Sequence, residues 1–159
     1  MAEKRKEKPA HQPAIHNKKA TFNYEIIERF DAGIELLGNE VKSLREGHVS
    51  LDGTYIIVRG AEAWLIGMTI PPYQVNNVAA QKEVYDPIRN RKLLLTRAEI
   101  ATLAGLKGGL TIVPITVYNK GRKFKVEIAI VRGKKNFDKR QTIKKRDTER
   151  QIRREYSDR

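Results

Sequence analysis

The stretch LTIVPITVYNKGRKFKVEIAIVRG, Leu110 to Gly133, decides the fold. Two runs rich in β-branched and aromatic residues flank Asn119-Lys120-Gly121, which predicts a hairpin with a short glycine-containing turn. Pro114 has no N–H to give to a ladder, so its neighbourhood is expected at an edge or a bulge. In the returning strand Lys123 and Lys125 share one face, and Phe124 points to the other, into the core.

Working outward, GTYIIVRGAEAWLIGMTI (53–70) predicts a second hairpin that turns at Arg59-Gly60-Ala61 and carries Trp64 in its returning strand. Its nearly continuous apolar runs imply cover on both faces over part of their length. ATFNYEIIERFDAGIELLG (20–38) alternates apolar with polar residues at Phe22, Tyr24 and Ile26, then at Ile34 and Leu36. That period of two reads as two strands joined at Asp31-Ala32-Gly33. NEVKSLREG (39–47) reads as a short helix capped by Asn39, with Val41 and Leu44 inward and a stop at Gly47. A loop opens at Pro71-Pro72 and contains Asn76-Asn77. Thr96 with Glu99 three residues on is a capping-box pattern for a helix that ends at Gly105.

These signals amount to about six strands and two or three short helices, with no internal repeat. Short antiparallel strands hide their edges by curling up. The expected fold class is therefore mainly β, an OB-like antiparallel β-barrel with helices packed outside. A split α+β sandwich is the alternative.

The charge is distributed unevenly. Of a formal net charge of +13, residues 1–20 hold six basic against two acidic side chains, and residues 133–159 hold eleven against five. The middle, 21–132, is nearly balanced, with fifteen against twelve. The chain thus divides into a disordered basic leader (1–15), a barrel (16–132) and a basic tail (133–159). Such extensions on a near-neutral body point to a polyanion gripped by the ends as well as the body. The tail has too few large apolar residues to lie in a membrane surface, so nucleic acid is the favoured partner.

Other chemistry is thinly represented. There is no cysteine, hence no disulfide framework and no thiolate metal site. His11, His16 and His48 lack metal-ligand spacing and read as solvated. GLKGGL (105–110) lacks the Gly-Lys-Ser/Thr ending of a phosphate loop. No nucleophile–base constellation stands out, so neither catalysis, cofactor nor metal is expected. The charged start has no apolar run behind it and no segment approaches a membrane span, so a cytoplasmic protein is expected.

Three basic clusters surround the barrel. NKKA (17–20) joins the amide of Asn17, able to pair with base or ribose edges, to the point charges of Lys18 and Lys19; a solvated strand lead-in is the plainer reading. DPIRNRKLLL (86–95) sets Arg89, Arg91 and Lys92 before three leucines, and core leucines would hold those bases on a rigid edge suited to RNA shape. NKGRKFKVE (119–127) places Lys120, Arg122, Lys123 and Lys125 on one hairpin. In the tail, Glu149 to Arg153 and Glu155 to Arg159 are i,i+4 pairs in the better orientation, and Arg146, Arg150 and Arg153 fall on one helical face. With no apolar stripe, that segment is expected to be disordered when free and to fold against phosphates.

Taken in order and spacing, NKKA, FDAGIELLGNEVKSLREG, DPIRNRKLLL and GKKNFDKR resemble the SsrA-binding protein family, also called small protein B, over residues 15–159. The resemblance implies an OB-like barrel that binds the tRNA-like domain of transfer-messenger RNA and delivers it to stalled ribosomes. It places Asn17, Tyr24, Asp31, Leu94 and Lys125 on that RNA. Gly133, Lys134, Lys135, Phe137, Asp138, Lys139 and Arg140 match the decoding-centre motif, and Lys144, Lys145, Arg146, Arg150 and Arg153 follow in the tail that folds in the empty message channel. The implied partners are the RNA, the ribosome and, through the RNA, elongation factor Tu and alanyl-tRNA synthetase, met by a monomer. Two departures stand out. The family often has Glu where this chain has Asp31, and some members have His where it has Phe137, which leaves stacking but not proton transfer. A structural ribosomal or RNA-chaperone OB protein is the competing binding function, and an RNA-modifying or nucleolytic enzyme the catalytic one.

Overall fold

A computed structural model of the chain describes residues 14–73 and 85–157. Most of the expected leader, and Asn76-Asn77 of the expected loop, lie outside the described residues. The long hairpin is the frame. β6 (Leu110–Lys120) and β7 (Lys123–Gly133) pair from Leu110↔Arg132 to Lys120↔Lys123, and the bulge falls between Pro114 and Thr116. The turn is Gly121-Arg122, where a φ of 66° suits glycine.

The other edge of β7 takes β2 (Tyr24–Ile34), paired from Tyr24↔Gly133 to Gly33↔Lys125. β3 (Tyr55–Arg59) and β4 (Glu62–Ile66) form the second hairpin about Gly60, and β5 (Arg91–Leu94) bridges β4 to β2. Strand order runs β6-β3-β4-β5-β2-β7 and returns to β6, so the sheet closes as a barrel. The β3–β6 contact is the narrow one, a single pair Ile56↔Ile112. A seventh strand, β1 (Ile15–His16), lies on β6 opposite Thr116 and Val117, where the His16 Nδ1 meets the Thr116 hydroxyl at 3.1 Å.

The expected pair of strands in 20–38 is instead a helix followed by one strand. α1 (Lys18–Asn23) forms because Asn17 Oδ1 accepts from the Ala20 N–H, and β2 then runs without a turn through Asp31-Ala32-Gly33. Ala32 is fully buried opposite Val126, which a turn residue would not be. The alternation was misleading because β2 carries a bulge between Ile26 and Glu28 that leaves Ile27 exposed. α2 (Gly38–Arg45) is capped at Leu37, whose N–H donates to Glu40 Oε2, while Asn39 sits at the second helical position rather than at the cap. α3 (Arg97–Ala104) has the expected Thr96–Glu99 capping box.

Ala32, Leu65, Met68, Ile70, Val126 and Ile128 fill the barrel. β6 is buried on both faces because α1 covers its outer side, where Ala20 packs with Val113, Ile115, Ala129 and Val131. Burial of valine and isoleucine is worth about 1.5–3 kcal/mol each, which holds a helix too short to form alone. In the second hairpin Ile56, Ala63 and Leu65 are buried on the inner face, while on the outer face Ile57, Trp64 and Ile66 are half-buried and Tyr55 is exposed.

The tail forms a helix, α4 (Asn136–Ser157), the conformation its i,i+4 pairs favour. Asp138 in its first turn complements the helix dipole. Its start is tied to α1, where Lys134 N donates to Asn23 O at 2.9 Å, and further along Arg146 stacks 5.5 Å above the Phe22 ring.

Candidate nucleic-acid interface

The barrel closure lays one outward row across four strands. Leu94 of β5 stands opposite Gly33 of β2, Gly33 opposite Lys125 of β7, and Lys125 opposite Tyr118 of β6. Asp31, two residues from Gly33, is on the same outer face, and the Tyr118 hydroxyl donates to its Oδ1 at 3.0 Å. Burial, reinforced by the Asp31 carboxylate, raises the Tyr118 phenol above its ordinary pKa and keeps it a donor. Leu94 lies directly over Gly33, since a Cβ at 33 would stand 3.1 Å from the Leu94 Cβ. Leu94 is 56% exposed, an apolar knob beside cations. Arg122, Lys123 and Phe124 from the turn join Leu94, Lys125 and Leu36 around one depression.

The second basic cluster is dispersed. Arg91 is wholly buried, and its five N–H donors are all engaged: two on Glu40 Oε1, the others on Met68 O, Arg89 O and Pro87 O. The sequence placed Arg91 on RNA; the structure withdraws it, because a guanidinium with every donor satisfied inside the protein has nothing left for a phosphate. Arg89 holds the same carboxylate from outside, with Nη2 2.6 Å from Glu40 Oε2. Tyr85 reaches in to Ile70 O at 2.8 Å. Burial pushes the Glu40 pKa up, but the Arg89 hydrogen bond, the Leu37 amide and Arg91 outweigh it and leave it below its ordinary value. Lys92 stays on the outer face and is ion-paired with Glu62, which raises its pKa.

The NKKA cluster lies elsewhere. Asn17 is buried, with Nδ2 donating to Pro114 O at 3.0 Å and Leu51 O at 3.2 Å while its Oδ1 caps α1. Its amide is spent on the fold, so Asn17 positions α1 rather than pairing with an RNA edge. Lys19 is exposed and holds Asp52 at 2.6 Å; Lys18 is exposed. Tyr24 is half-buried against the cluster under α1. Gly33 lies nine residue steps further along β2, about 30 Å of strand. The matched positions thus split: Asp31, Leu94 and Lys125 meet at one end of the β2–β7 ribbon, Asn17 and Tyr24 at the other.

The tail leaves from that second end. Gly133 closes β7, and Lys134 Nζ donates to Thr21 O at 3.3 Å. Phe137 is 67% exposed on the first turn of α4 beside Asp138, with Lys135 and Arg140 exposed and Lys139 half-buried. Lys144 and Lys145 face solvent, while Arg146, Arg150 and Arg153 share one cleft with Lys18. Sequence reasoning missed Tyr118 and Gly33, although the hairpin's two-residue turn sets Tyr118 opposite Lys125. Among the described residues no cluster of metal-binding side chains occurs, and no helix is long and apolar enough to cross a membrane.

Comparisons with known proteins agree in direction. A family model described as SmpB protein matches residues 14–158. The SsrA-binding protein of Oleidesulfovibrio alaskensis is 51% identical over 141 residues, spanning 87% of this chain and 88% of that protein. That of Chlorobaculum tepidum is 45% identical over 152 residues, 94% of each chain. A solved structure described as "tmRNA-SmpB: a journey to the center of the bacterial ribosome" aligns with a TM-score of 0.64 at 39% identity, covering 78% of this chain and 86% of that one.

Proposed function

The chain belongs to the SmpB protein family, whose curated members here are SsrA-binding proteins, and from that premise we propose that it is a transfer-messenger RNA partner in ribosome rescue. The barrel, 16–132, binds the tRNA-like domain, and the tail, 133–159, probes the decoding centre and the empty message channel. The protein acts in the cytoplasm, as a monomer and without catalysing a reaction. It meets elongation factor Tu and alanyl-tRNA synthetase through the RNA.

The observation that carries this reading is the outer row Leu94–Gly33–Lys125–Tyr118 with Asp31 beside it. Lys125, Arg122 and Lys123 supply phosphate contacts, Leu94 packs on a sugar or base, and the Tyr118–Asp31 pair offers oxygens to 2′-hydroxyls. Such a face reads the shape of a folded RNA. In the tail, Phe137 supplies a planar ring for stacking on a base, flanked by Lys135, Lys139 and Arg140.

The test is a salt titration of binding to the tRNA-like domain. Lys125→Ala is expected to weaken binding and reduce the slope of log affinity against log salt by about 0.7–0.9, one phosphate's worth. Leu94→Ala should weaken binding with the slope kept. Unchanged affinity in both variants would remove this face from the interface.

A further inference from the structure

The outward face of the second hairpin carries a cluster of side chains with no part in the interface built so far. Tyr55 and Ile57 of β3, with Trp64 and Ile66 of β4, point away from the barrel interior, as the buried Ile56, Ala63 and Leu65 between them require. Ile57 stands opposite Trp64, and Trp64 opposite Lys92 of β5. Trp64 thus lines a shallow depression together with Ile57, Ile66, Arg59 and Asn90. Lys92 is already ion-paired with Glu62, which leaves Arg59 as the cation of the patch. Among the described residues, neither the Arg59 guanidinium, the Asn90 side-chain amide nor the Trp64 Nε1–H has a hydrogen-bond partner.

We infer that this patch binds one unpaired nucleotide of the RNA held by the Leu94–Lys125 face, with its base stacked on Trp64. The inference rests on the function proposed above and extends that interface across β5 onto β4 and β3. Two observations choose the ligand. The first is chemistry: an indole held on a rigid sheet, an amide able to pair with a base edge and a guanidinium for a phosphate answer the three parts of a nucleotide. A purely apolar protein surface would desolvate Arg59 and Asn90 without giving them partners, which is costly. The second is continuity. Leu94 lies two residues beyond Lys92 on the same outer face of β5, so Trp64 and Leu94 are diagonal cross-strand neighbours about 7–8 Å apart. The Lys92–Glu62 pair beside them is neutral as a unit, so the patch adds a stacking platform and one phosphate contact to the cations around Lys125. The base must be unpaired, because within a duplex both of its faces are already covered.

Trp64 is the single tryptophan of the chain, so its fluorescence reports on the patch in unmodified full-length protein. The tRNA-like domain is titrated in while binding is followed independently by filter retention. A stacked base quenches indole emission and shields the ring from added acrylamide, and both changes should grow with the bound fraction. Trp64→Ala should weaken binding about tenfold with the salt slope kept, the worth of one stacked base. Trp64→Phe, which retains a ring, should lose less. Arg59→Ala, at an exposed position, should lower the salt slope by about 0.7–0.9. An indole that stays fully emissive and accessible to acrylamide in the saturated complex would overturn the inference, as would wild-type affinity in both alanine variants. An indole shielded by isolated small ribosomal subunits but not by the tRNA-like domain would overturn it as well, and would give the patch to another partner. Wild-type protein that retains no tRNA-like domain on the filter would instead overturn the reading beneath it, and this result needs no variant to be seen.

Discussion

Glu40 has no exposed side-chain surface, yet it carries the negative charge for two arginines, Arg91 wholly buried and Arg89 at the rim. Together they pin α2, the start of β5 and the backbone at Met68 and Pro87, and so hold Leu94 three residues beyond Arg91 in its outward place. Removing one member leaves the others uncompensated in a dry site, typically a loss of about 3–5 kcal/mol. Glu40→Gln should therefore lower stability at neutral pH by about 3 kcal/mol. Because the folded pKa lies below the ordinary 4.5, the contribution is complete above that value and is lost as pH falls through the folded one. Denaturant midpoints should show the gap between variant and wild type shrinking below pH 4.5; a gap that stays constant in acid would contradict this. The same residues mark a limit of sequence reading. Arg91 and Lys125 look alike beside apolar runs, but Arg91's partner is 51 positions away, whereas Lys125 is placed by its own hairpin.

Among the elements, the hairpins and α3 were legible because their signals are local: turn glycines, β-branched runs and a capping box. α1 was not, since its cap depends on Asn17 being anchored to Leu51 and Pro114, far away in sequence, while Phe22, Tyr24 and Ile26 imitate a strand. The tail was half legible. Its i,i+4 spacing foretold a helix, but the contacts of Arg146 with Phe22 and of Lys134 with α1 require the fold. In the structure α4 is a helix of 22 residues. Far-UV circular dichroism of the full chain minus that of residues 1–132 should therefore be a helix spectrum. A coil difference spectrum would mean that the segment orders only on its target.

For the whole molecule, the barrel acts as a spacer between two basic ends. The turn end of the β2–β7 ribbon carries Arg122, Lys123, Lys125 and Leu94; the other end carries α1 and the tail, with the densest positive charge in the chain. Overall charge already indicated a polyanion, but its division between two ends could not be read before β2 was seen to run unbroken from Tyr24 to Ile34. On the function proposed above, this arrangement separates holding the transfer-messenger RNA from engaging the ribosome. The most direct measurement deletes residues 133–159 and compares binding to the tRNA-like domain with peptide tagging on stalled ribosomes. The predicted result is RNA affinity largely kept and tagging abolished; normal tagging by the truncated protein would contradict the division of labour.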